Sequence, residues 1–301
     1  MKVLIYGVGG VGGFIGSFLE KTDLEVSYIA KGKRYEFLKN KGLILNSQIE
    51  NLKFKKISVF NELNEGDHFD IIIITVKLYD FDNVLTEIKQ KIKGNYIILP
   101  FQNGIYAEEK IKKLLGPENT FGAVAQISAH IDEKQTIQHI GKLATFFIGN
   151  YNGDRSHILE NFCKKVQENN LSIIYKNNIK EKIWEKFIFL SAYSGMTTLT
   201  EKTIGQIFEN KNLKNKFLNA MKEAYLLSKE FKVEFKRDPL EFWINKIKTM
   251  PYEMTSSMYH DFKAKKKLEL KWLSGSILNL GKSMNMKFEV SSEIVNGIKS
   301  K

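Results

Sequence analysis

The sequence predicts an α/β protein in two parts. A Rossmann-type parallel sheet with an antiparallel extension comes first, and an all-helical C-terminal domain follows. Three observations predict this. Lys2–Tyr6 is a β-branched, apolar run that leads straight into glycines and then into a helical pattern. Strand-like runs then recur as far as Tyr175. From about Ile179 they stop, and long helical patterns take over. The expected domains are 1–177, binding a dinucleotide, and 178–301, carrying substrate and catalysis.

Lys2–Tyr6 is too short for a helix and reads as a buried parallel strand. The turn Gly7-Val8-Gly9-Gly10-Val11-Gly12 contains G-x-G-x-x-G, with Phe14, Ile15, Phe18 and Leu19 following at helical spacing. Strand, glycine turn and helix in that order form the context in which the motif signals a dinucleotide site. Gly7 permits the turn, Gly9 lets a pyrophosphate approach the backbone, and Gly12 lets helix and strand pack closely. The free amides at the helix start then face the phosphates.

Glu25–Ala30 is the second strand. An NAD site commonly carries a carboxylate at its end, for the ribose 2′-hydroxyl. Here the chain runs Ala30-Lys31-Gly32-Lys33-Arg34. Three cations and no carboxylate suit a 2′-phosphate, so the expected cofactor is NADP(H), with Lys31 and Arg34 as contacts. The alternative is a basic surface turn.

Phe54–Phe60 reads as a strand, and Phe69–Lys77 as a stronger, continuously apolar one. Tyr96–Leu99 is another, ending at Pro100 and followed by Gln102-Asn103-Gly104. Lys77 and Asn103 thus follow neighbouring strand ends, at the carboxyl edge where open α/β sheets bind ligands. Thr120–Ser128, Thr136–Ile140 and Leu143–Ile148 follow, with Gly141-Lys142 as an expected hairpin turn. An amphipathic helix around Ile158–Val166 and an edge strand, Ser172–Tyr175, close the first part.

The chain has 301 residues and a formal charge of +12, but Arg34, Arg155 and Arg237 are its only arginines. Nucleic-acid recognition favours bidentate arginine, so the lysine excess does not predict a nucleic-acid partner. No apolar run approaches the ~20 residues of a membrane span. Met1 leads directly into a core strand, so no secretory leader is expected. The single cysteine, Cys163, excludes an intrachain disulfide and reads as a packed core thiol. His68, His130, His139, His157 and His260 lack metal-ligand spacing, so no metal is expected. Together these predict a cytoplasmic protein.

The helix around Ile183–Leu190 has apolar residues on most faces, yet contains Lys186. Burial disfavours the charged form of a lysine, and a lysine tuned that way can donate a proton near neutrality. The alternative is a lysine snorkelling to the surface. Glu269 stands at the start of an expected long helix through Leu280. It pairs either with Lys186 or with a neighbouring lysine.

Taken together, these residues resemble the ketopantoate reductases, or 2-dehydropantoate 2-reductases. The resemblance rests on Gly7–Gly12, the basic end of strand two, Thr75-Val-Lys77, Asn103-Gly104, Trp184-x-Lys186, Ser256-Ser257-Met258 and Glu269, and it covers nearly the whole chain. It implies NADPH-dependent reduction of the 2-keto group of ketopantoate, in the route to pantothenate and coenzyme A. It implies that Lys186 is the general acid and that Lys77, Asn103 and Glu269 lie around cofactor and substrate. Ser257 would hydrogen-bond the substrate, and Ser128 would meet the nicotinamide end. A homodimer is also implied.

The chain departs from that pattern. Where pantoate-forming members usually carry substrate-contacting asparagines, it has Leu190, Ser194 and Met254. Ser194, with Ser191, Tyr193 and Thr197 nearby, is the expected substitute donor. Reduction of another 2-keto acid, or an opine-type dehydrogenase, is therefore the alternative reading. A non-catalytic NADP(H)-binding sensor is the third.

Overall fold

The computed structural model covers residues 1–301. The chain forms β1 (Lys2–Tyr6), α1 (Gly10–Leu19), β2 (Glu25–Ile29), α2 (Gly32–Lys41), β3 (Leu43–Ser47), β4 (Leu52–Phe54), β5 (Ser58–Phe60), β6 (Ile71–Ile74), α3 (Leu78–Lys91), β7 (Ile97–Pro100) and α4 (Tyr106–Leu115). Then come β8 (Phe121–Ile131), β9 (Ile137–Asn150), α5 (His157–Gln167) and β10 (Ser172–Tyr175). The remainder is helical: α6 (Ile179–Thr200), α7 (Ile204–Glu209), α8 (Lys211–Glu230), α9 (Pro239–Ile247), α10 (Ser257–Lys263), α11 (Ser274–Ser283) and α12 (Glu289–Lys299). No helix is long and apolar enough to cross a membrane.

Contacts divide the chain into two units. The first is Met1–Gln102 with Ala107–Lys180; the second is Asn103–Tyr106 with Glu181–Lys301. The short segment after β7 thus packs with the helices rather than with the sheet that precedes it.

In the first unit a five-stranded parallel sheet runs β5-β2-β1-β6-β7. All four isoleucines of β6 are fully buried, which is why that strand reads as a continuous apolar run. Each contributes roughly 1.5–3 kcal/mol by leaving water. Cys163 packs in the same core, and burial pushes its thiol up to about 12.

The expected antiparallel addition is present as the pair β8–β9, which lies in a second, mixed sheet ordered β10-β9-β3-β4 with β8 on β9. Several sequence expectations are corrected in the segments within that sheet and beside it. Phe54–Phe60 is not one strand. β4 joins β3 in the second sheet and β5 joins β2 in the first, so the segment between them crosses from one sheet to the other. Gly141-Lys142 is not the hairpin turn. The turn lies at Asp132–Thr136, closed by the Gln135 amide on the Asp132 carbonyl (3.0 Å) and by the Thr136 amide on Asp132 Oδ1 (2.8 Å). Gln135 takes a positive φ of 63° there. Residues 140–143 instead form a bulge inside β9, opposite the register irregularity at Ser128. The bulge is held by His139, which bonds the Leu143 carbonyl through Nε2 (3.1 Å) and Ser47 Oγ through Nδ1 (2.8 Å).

In the second unit α6 is the central helix. Between Ile183 and Thr198 every side chain is buried except Lys186 and Leu190. The expected continuous helix from Leu270 to Leu280 is broken. A single 3-10 turn covers Leu270–Trp272, Leu273 leaves helical geometry (φ −102°, ψ −106°), and α11 starts afresh at Ser274. Ser274 Oγ donates to the Ser191 carbonyl (3.1 Å), fixing the new helix against α6.

Candidate active site

The carboxyl edge of the parallel sheet carries the first group of candidate residues. Thr75 Oγ1 donates to the Gly7 carbonyl, tying the glycine turn to the end of β6. Gln102 Nε2 donates to the Ile74 and Val76 carbonyls, both at 3.0 Å. These bonds hold the segment that ends in Lys77, the partly exposed N-cap of α3. Sequence reasoning passed over Gln102 as a positioning residue. Its signal was a polar side chain directly after a fully apolar strand.

The glycines divide by their surroundings. A Cβ on Gly12 would lie 2.2 Å from the Gly7 carbonyl and 2.3 Å from Thr75 Oγ1, so only glycine fits where α1 crosses the strands. A Cβ on Gly9 would meet nothing within 4 Å. No side chain caps α1, and its first turn holds no acid. The Gly13 amide bonds the Gly9 carbonyl (2.9 Å), and the first-turn amides of Gly10, Val11 and Gly12 precede the helix's own bonding. Open space beside uncapped amides suits a pyrophosphate. Gly10 abuts the Ala129 carbonyl (2.2 Å to an added Cβ), which brings the exposed Ser128 of β8 alongside this loop.

Lys31 is the N-cap of α2, and Arg34 lies in that helix's first turn; the basic segment is helical, not a bare turn. The Lys31 side chain is 67% exposed, with Nζ 4.0 Å from Glu87 Oε2. Arg34 faces inward instead. Its Nε donates to the Val8 carbonyl at 2.8 Å and its Nη1 to the Gln135 carbonyl, while Nη2 is buried without a partner. Burial draws the guanidinium down to about 10, against the opposing charge of Asp132. Of the two residues expected at a 2′-phosphate, Lys31 is thus open and Arg34 is engaged with backbone.

Glu87 bridges several elements nearby. It accepts from the Tyr6 hydroxyl (2.6 Å) and the Leu63 amide (3.3 Å) and lies 3.7 Å from Lys91 Nζ. Burial works to raise its carboxyl. The hydrogen bonds and the two lysine charges outweigh that and hold it below the ordinary carboxylate range.

The second unit carries the other group. Lys186 Nζ donates to Asn103 Oδ1 at 2.7 Å. Lys186 is partly exposed on a helix whose neighbouring side chains are buried. Gly104 follows Asn103 with a φ of +96°, and a Cβ there would lie 3.0 Å from the Trp272 carbonyl. The Asn103-Gly104 turn is therefore seated on the segment just after Glu269. No local sequence pattern marks Trp272 as the seat of that turn. Glu269 is buried, and its carbonyl accepts from the Trp272 (3.0 Å) and Leu273 (3.2 Å) amides.

Ser257 is the exposed first residue of α10. Ser256 caps that helix through the Tyr259 amide (3.1 Å) and meets Thr197 Oγ1 at 2.8 Å, which locks α10 to α6. Ser194, the expected substitute donor, is 1% exposed, and its hydroxyl donates to the Leu190 carbonyl of its own helix. That proton is spent, and the side chain does not reach the open part of α6.

Chemically, the first group offers amides and an exposed cation to a phosphorylated ligand. The second offers a fixed ammonium beside a partly exposed surface.

Two family models match the chain. Residues 3–153 match "Ketopantoate reductase PanE/ApbA", and residues 178–301 match its C-terminal model. The chain is 27% identical to the uncharacterized oxidoreductase YkpB of Bacillus subtilis (strain 168), over 95% of this chain and 94% of that one. It is also 27% identical to a 2-dehydropantoate 2-reductase of Pyrococcus horikoshii, over 95% and 92%. Among solved structures, D-mandelate dehydrogenase with NADH and anilino(oxo)acetate superposes with a TM-score of 0.88 at 19% identity, covering 100% of this chain and 98% of that one. That likeness shows a shared fold.

Proposed function

Because the chain belongs to the ketopantoate reductase family, we propose that this oxidoreductase uses NADPH to reduce a 2-keto acid to the 2-hydroxy acid. The observation that carries the reading is the Lys186–Asn103 bond. It fixes a lysine ammonium at one of only two openings along an otherwise buried stretch of helix.

The nicotinamide, when bound, supplies the hydride that the keto carbon receives. The protein supplies the rest. The Gly9 opening and the α1 amides hold the pyrophosphate, and Lys31 meets the 2′-phosphate. The Lys31–Glu87 pair is long, at 4.0 Å, and its lysine end is exposed, so the lysine can turn to a phosphate. As negative charge gathers on the keto oxygen, the Lys186 ammonium stabilises it and then gives it a proton. The neutral Asn103 carbonyl orients that ammonium without neutralising it. Ser257 offers its hydroxyl to the substrate carboxylate. Ketopantoate is the first substrate to try, being the oxidised form named in the Pyrococcus horikoshii relative.

The test is loss of nicotinamide absorbance on mixing purified protein, NADPH and ketopantoate, with a panel of other 2-keto acids beside it. Turnover of at least one, abolished in Lys186→Ala, supports the reading. Tight NADPH binding with no turnover across the panel overturns it.

A further inference from the structure

Resting on that reaction, the substrate itself can be narrowed from what α6 presents. Lys186 and Leu190 lie one turn apart and are the only side chains between Ile183 and Thr198 that are not buried. A keto acid whose oxygen meets Lys186 therefore lays its chain against Leu190.

The hydroxyls around that opening are already committed. Ser191 donates to the Ile188 carbonyl (3.2 Å) and Ser194 to the Leu190 carbonyl. Thr197 donates to the Tyr193 carbonyl (2.7 Å) and meets Ser256 (2.8 Å). The Tyr193 hydroxyl has no partner, but it is fully enclosed, and the ring is stacked 5.0 Å from Phe189. None of these offers a free proton at the surface beside Leu190.

We infer that the preferred substrate is a 2-keto acid whose chain beyond the keto carbon is apolar and carries no hydroxyl that the protein reads. The Leu190 side chain is the surface that selects it.

Two substrates that differ by one hydroxyl test this on the unmodified protein: ketopantoate and 3,3-dimethyl-2-oxobutanoate. A site that hydrogen-bonds a substrate hydroxyl rejects the deoxy analogue by about 10⁴-fold or more, whereas an apolar pocket disfavours an added hydroxyl by up to about 10²-fold. The expected result is a kcat/KM for the deoxy acid equal to or up to about a hundredfold above that for ketopantoate. A preference for ketopantoate of tenfold or more, in the same order-of-magnitude terms, overturns the inference and leaves the reaction standing. No reduction of either acid, or of any other 2-keto acid, overturns the reaction as well.

Leu190→Asn locates the surface. It is expected to shift the ratio of the two kcat/KM values toward ketopantoate by about tenfold, with NADPH affinity unchanged. An unchanged ratio in a variant that still binds NADPH removes Leu190 from substrate selection. Tyr193→Phe is expected to leave the ratio where it was, and a shift away from ketopantoate would show that the enclosed hydroxyl reads the substrate after all.

Discussion

The Lys186 ammonium donates to the Asn103 side-chain carbonyl at 2.7 Å, joining residues 83 apart in sequence. A carboxamide accepts one proton of the ammonium and, being neutral, leaves its charge intact. Removing the donor should remove a proton-transfer step. Lys186→Ala is expected to lower kcat by about 10²–10⁴, with NADPH affinity within error of the unmodified protein. Asn103→Ala, which only loosens the lysine, should cost about tenfold. Steady-state kinetics beside a fluorescence titration of NADPH separates the two effects, and a kcat unaffected by Lys186→Ala would take that residue out of the chemistry.

The glycines of the first turn should behave oppositely to one another. Gly12→Ala drives a methyl into the Gly7 carbonyl and Thr75 Oγ1, an overpacking expected to cost about 1–3 kcal/mol of stability. Gly9→Ala has open space for its methyl, so its melting temperature should match the unmodified protein while its affinity for the dinucleotide falls. Thermal melts with and without NADPH check both. Equal destabilisation by the two changes would count against Gly9 as the point of phosphate approach.

Arg34 holds the Val8 and Gln135 carbonyls and thereby braces the glycine loop against the β8–β9 turn. Arg34→Ala should weaken NADPH and NADH alike, by about tenfold, since a charge-assisted hydrogen bond contributes roughly 1.5–3 kcal/mol. Lys31→Ala should weaken NADPH alone. Paired titrations read this as a ratio. A selective loss of NADPH affinity in Arg34→Ala would return that residue to the 2′-phosphate.

Glu87 sets an acid limit on the first unit. Its carboxyl lies below the ordinary value in the folded chain, so the native state binds fewer protons than the unfolded one as pH falls. Its contribution is complete above the unfolded carboxyl's range of about 4.3 and is lost as pH drops through the folded value. Between neutrality and strong acid, the melting temperature of the unmodified protein should fall further than that of Glu87→Gln. Parallel curves would mean that Glu87 is not linked to stability.

Strands β1, β6 and β7 were legible because each is buried on both faces and writes a nearly continuous apolar run. β9 was less so. Its pattern stops at Gly141-Lys142 because residues 140–143 bulge out, and a bulge and a turn look alike where only local sequence is read. The β4–β5 segment failed for a related reason. Apolar residues mark strands but do not say which sheet receives them. The interruption at Leu273 was invisible, because Leu270, Leu273 and Ile277 keep helical spacing across it.

By itself, then, the sequence determined the parts that depend on local chemistry. These are the glycine turn between strand and helix, the cations without a carboxylate after β2, and a lysine within an apolar helix. Tertiary structure decided what those parts touch. It turned Arg34 inward onto backbone carbonyls while leaving Lys31 open, spent the Ser194 proton on its own helix, and set Asn103 against Lys186. The physical reason is that a side chain's type fixes which bonds it can make, whereas long-range packing fixes which partners and how much water remain within its reach.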